Sequence, residues 1–83
     1  MALNEALLKI MSKLYEPSTL VELKFGRYDL VFKTDDAGRP ILLFLGKKNA
    51  AGRITGERYA RRLLFDTSGH VIKDHWERKG KAT

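Results

Sequence analysis

The sequence predicts an α+β fold in which an N-terminal helix precedes a five-stranded, curled antiparallel β-meander, either a sheet or a partly open barrel. Three observations carry this prediction. The first is a change of apolar periodicity from helical spacing to strict alternation after Pro17. The second is a tetrapeptide signature, [DN]-x-x-G followed by Arg or His, which occurs at Asp35–Gly38, Asn49–Gly52 and Asp66–Gly69. The third is the placement of glycine: four of seven fall in turns, one in the polar tail, and only Gly46 and Gly56 inside strands.

The chain has 83 residues, enough for one small domain spanning 1–83. Its apolar and charged fractions, 43% and 31%, are those of a globular chain. It contains no cysteine, so neither a disulfide nor a thiolate metal site supplements the core. The longest apolar run, Ile41–Leu45, is too short to span a bilayer, so no membrane insertion is expected. The N-terminus lacks the basic start and apolar core of a signal peptide, and the chain reads as cytoplasmic.

Leu3, Leu7, Ile10 and Leu14 form one apolar seam and predict a helix over about 3–15, ended by Pro17. A helix this short must pack on its own sheet or on a second chain. Alternation then predicts strands near 19–25, 28–34, 40–48, 53–65 and 70–78, with a polar tail at 79–83. Gly26-Arg27 suits a two-residue turn. In the three later turns, Asp or Asn bonds the turn backbone and glycine takes the left-handed conformation that closes it.

If Asn49 pairs with Arg53, Gly46 and Gly56 stand opposite each other and bend the sheet. Three identical three-residue loops conflict with an unbroken ladder on strand three, because Arg39 and Asn49 have the same parity there. Either strand three has a bulge, with Gly46 its natural candidate, or Asn49–Gly52 is a four-residue loop. The outcome decides whether Tyr59, Leu63, Phe65 and Val71, or Ala60, Leu64, Ile72 and Trp76, join the main apolar face. Strand three, Pro40–Gly46, is apolar on both sides, as a central strand covered on both faces would be.

The net charge is +6, and all of the excess lies in residues 46–83. Lys47, Lys48, Arg53, Arg58, Arg61 and Arg62 cluster on the central hairpin with Tyr59 among them. The charge asymmetry suits nucleic acid or another polyanion, and phosphate neutralisation with base stacking on Tyr59 would suit single-stranded nucleic acid, so these seven residues form the candidate nucleic-acid-binding set of a small basic binding module. No RNP-like, KH or zinc-finger signature accompanies them. The alternative is a protein-interaction or homo-oligomeric domain using the helix seam or a second apolar face around Ile41, Leu43 and Leu45. Tyr59 buried and arginines ion-paired would favour that alternative.

A small ribonuclease would take His75 or Glu57 as base and Arg61 or Arg62 as phosphate ligand, although nothing in their spacing is diagnostic. Walker, dinucleotide and nucleophile-elbow motifs are absent. Two histidines, His70 and His75, at no ligand spacing make neither a metal nor another cofactor an expectation.

Overall fold

The computed structural model describes residues 4–81. Helix α1 spans Glu5–Met11 and is followed by strands β1 (Leu20–Phe25), β2 (Tyr28–Thr34), β3 (Pro40–Lys48), β4 (Ile54–Phe65) and β5 (Val71–Lys81). The strands form one antiparallel sheet in sequence order, a meander open at both edges rather than a closed barrel.

Asn4 caps the helix, its side-chain oxygen accepting from the Leu7 amide at 2.8 Å. The helix stops at Met11, short of the expected 15, because Tyr15 has tertiary partners that a continuing helix would deny it. Its amide donates to the Gly38 carbonyl at 2.8 Å, its hydroxyl donates to the Ile10 carbonyl at 2.8 Å, and its ring meets Phe32 edge-on. Of the predicted seam, Leu7 is buried and Ile10 packs on the core, whereas Leu14 is exposed; Leu3 lies outside the described residues. The loop back to β1 is fastened by the buried Thr34 hydroxyl, which donates to the Glu16 carbonyl and accepts from the Thr19 amide.

All three [DN]-x-x-G turns have the same geometry. The first residue's amide donates to the carbonyl four residues on (Asp35 to Arg39, Asn49 to Arg53, Asp66 to His70; 2.8–2.9 Å). Its side chain accepts from the amides two and four residues on. The closing glycines have φ between 81° and 85°.

The parity conflict is therefore resolved by a bulge in β3, but not at Gly46. Lys33 pairs with Leu42 and Thr34 with Pro40, so Ile41 is the extra residue, immediately after the turn. Gly46 stays in register opposite Gly56. There the two backbones approach so closely that a Cβ on Gly46 would stand 2.9 Å from the Gly56 Cα and closer still to the Thr55 carbonyl oxygen. Two further bulges, at Ile72 and Lys79, interrupt the β4–β5 ladder. The second lets the strand continue past Gly80, so residues 79–81 belong to β5 rather than to a polar tail.

The register places Tyr59 opposite Leu43 and hence on the helix-covered face. Leu30, Phe32, Leu43 and Tyr59 pack there against Leu7 and Met11, each no more than 2% exposed. Beyond Ala60, β4 has only β5 as a neighbour, so the end of the hairpin projects as a two-stranded ribbon.

Alanine at Gly46 or Gly56 is expected to cost about 3 kcal/mol, because backbone on the neighbouring strand must move. Alanine at Gly52, which has open space but positive φ, should cost only about 1 kcal/mol. Urea denaturation of the three variants checks that order.

Candidate binding surface

The seven candidate residues do not form one surface. Side chains alternate along β4, so Glu57, Tyr59 and Arg61 face α1 while Arg58, Ala60 and Arg62 face the opposite, uncovered side. Tyr59 is 1% exposed and donates its hydroxyl to Glu57 Oε2 at 2.6 Å. Burial, reinforced by the Glu57 carboxylate, pushes the phenol up to about 12. A ring held in the core is not open to stacking on a base.

Arg61 is also internal, its side chain 9% exposed. Nε and Nη2 donate to the two Asp74 oxygens at 2.7 Å each, and Nη1 donates to the carbonyls of Met11 and Pro40 at 3.2 Å. The guanidinium carbon lies 5.9 Å from the Trp76 ring. Every nitrogen of this side chain is engaged within the protein. Arg61 holds the Asp74 carboxyl below its usual range, mainly through these hydrogen bonds.

The other cations are distributed. Lys48 pairs with Glu22, and Arg53 is exposed at the turn. Lys47 lies on the helix side of β3 by alternation with Leu43 and Leu45. Arg58 is exposed on the open face, opposite Phe44. Arg62 approaches Glu77 only at 4.0 Å and remains 62% exposed.

The ribonuclease set divides in the same way. His75 is the cross-strand partner of Arg62 on the open face, 3.0 Å from Glu77. Glu57 and Arg61 lie on the helix side, with the Glu57 carboxylate bonded to Tyr59 and Arg78. Among the described residues, no three His, Asp or Glu side chains are grouped to hold a metal ion.

What the structure does assemble is the open face itself. Val31 stands opposite Phe44, and Leu42 opposite Ala60, giving a half-buried apolar centre with no helix over it. This corrects the expected second apolar face: Leu43 and Leu45 pack in or against the core and Ile41 is bulged, so Leu42 and Phe44 take that role. Leu20 on β1 and Leu64 on the ribbon add exposed apolar side chains on the same face. Lys33, Arg58 and Lys73 flank it with no acidic partner among the described residues. Strand three's apolarity on both sides was the available signal for Phe44, but the register was needed to say which residues face outward.

Comparison with known proteins finds no matching family model, no matching curated protein and no matching solved structure.

The Asp74–Arg61 pair sets an acid limit on stability. Because the folded carboxyl is depressed, its contribution is complete above the unfolded pKa of about 4 and is lost as pH falls through the folded value. Thermal melts should therefore show a midpoint that declines below about pH 4, and a shallower decline in Asp74→Asn.

Proposed function

We propose that the chain is a non-catalytic protein-interaction module whose open sheet face docks against a protein surface, in the simplest case a second copy of itself. The observation that supports this most directly is the uncovered apolar centre of the open face, Val31, Phe44, Leu42 and Ala60, with exposed Leu20 and Leu64 on the same face. Uncovered apolar surface rimmed by polar residues marks association sites on small proteins. A two-stranded ribbon with exposed side chains on both faces, Phe65 and Val71 on one and Leu64 on the other, gains further burial from a partner. The burial of Tyr59 and the engagement of Arg61 favour the same reading, since they withdraw the aromatic and one arginine from the basic hairpin.

A second reading keeps single-stranded nucleic acid as the partner. It rests on Phe44 lying directly opposite Arg58, with Lys33, Arg62 and Lys73 on the same face. An aromatic ring among cations is the usual arrangement for holding an unpaired strand.

Salt separates the two readings. Copies bearing like-charged faces associate more tightly as salt screens them, whereas nucleic-acid binding weakens with salt. Sedimentation should show a dimer that strengthens with sodium chloride and is lost in Phe44→Asp and in Leu64→Asp. A strict monomer at high concentration and high salt, with single-stranded RNA bound at low salt, would turn the conclusion to nucleic acid.

A further inference from the structure

On the helix side, away from the open face, a cavity of about 590 Å³ lies beside Asn4 and Leu7 at the beginning of α1. This volume falls within the range of small-molecule sites. Its walls are apolar, formed by Leu7, Phe25, Tyr28, Leu45 and Tyr59, and the close-packed Gly46–Gly56 pair forms part of its lining.

Several polar groups at its edge are committed within the protein, whereas the Tyr28 hydroxyl has no partner among the described residues. The Asn4 side-chain oxygen caps the helix. The Thr55 hydroxyl donates to the Lys47 carbonyl at 3.1 Å. Glu57 accepts from the Tyr59 hydroxyl at one oxygen and from Arg78 at the other, so its charge is already offset. Among the described lining residues the one cation is Lys47, which strand alternation directs to this side and which has no acidic partner among the described residues. A ligand that suits this arrangement has an apolar body and one negative group. A cationic ligand would have to compete with Arg78 for the Glu57 carboxylate.

We infer that the cavity binds a small monocarboxylate with an aliphatic or aromatic body, its carboxylate on Lys47 and its body against Leu7, Leu45 and Tyr59. The site is independent of the proposed docking face, which lies on the other side of the sheet.

Titration of ¹⁵N-labelled protein with sodium decanoate, decylamine and decanol tests it. Decanoate should give saturable shifts at the amides of Leu7, Leu45 and Tyr59 and bind more tightly than either analogue. Lys47→Glu, at an exposed position that should leave the melting temperature unchanged, should weaken decanoate binding at least about tenfold. Lys33→Glu, on the open face, should leave it intact and so separates the site from general attraction to a basic protein. Four results would each overturn the inference: no saturable shift, equal binding of decylamine, equal binding by the folded Lys47→Glu variant, or shifts confined to Leu42 and Phe44.

Discussion

The fold depends on one guanidinium. Arg61 connects the end of α1 through the Met11 carbonyl, the start of β3 through the Pro40 carbonyl, and β5 through Asp74. These segments are distant in sequence, and no single backbone ladder connects all of them. A planar fork of donors meets a carboxylate with two parallel bonds and still has a nitrogen for the carbonyls, which lysine could not reproduce. The partners are as necessary as the cation. An arginine this deeply placed without Asp74 would be a buried charge without a counter-ion. The helix end supplies one of these acceptors: the Met11 carbonyl, free of the helical ladder at the C-terminus, is available to Arg61.

A second constraint shapes the sheet around that clamp. The Gly46–Gly56 pair lets β3 and β4 approach where side chains would collide, and the cavity lies against it. The bulge at Ile41, after the first [DN]-x-x-G turn, restores parity on β3, so that Phe32, Leu43 and Tyr59 face the helix together. With the core confined to one side, the apolar residues of β3 on the other side have nothing from the described chain above them. The open face is thus a consequence of register.

Much of this was legible in the residues. The helix, the five strands, the three like turns and the glycine pair follow from periodicity and turn chemistry, which are local. The bulge could be deduced but not located: parity required an extra residue on strand three, and only the ladder places it at Ile41 instead of Gly46. The helix end was missed because Tyr15 continues the helical pattern while its partners, Phe32 on β2 and Gly38 in the turn after it, are distant in sequence. Charge was the least reliable guide to the surface. The cluster from Lys47 to Arg62 is evident in one dimension, but alternation sends Arg61 inward and Arg58 and Arg62 outward. Asp74, thirteen residues away, turns Arg61 into a structural residue.

The most direct measurement is a double-mutant cycle of Arg61→Met and Asp74→Asn, followed by chemical denaturation at pH 7. A clamp that holds the fold predicts a coupling energy of about 2 kcal/mol, with each single variant clearly destabilised. Coupling near zero, with Arg61→Met as stable as the parent, would contradict it and return Arg61 to the set of residues available for a ligand.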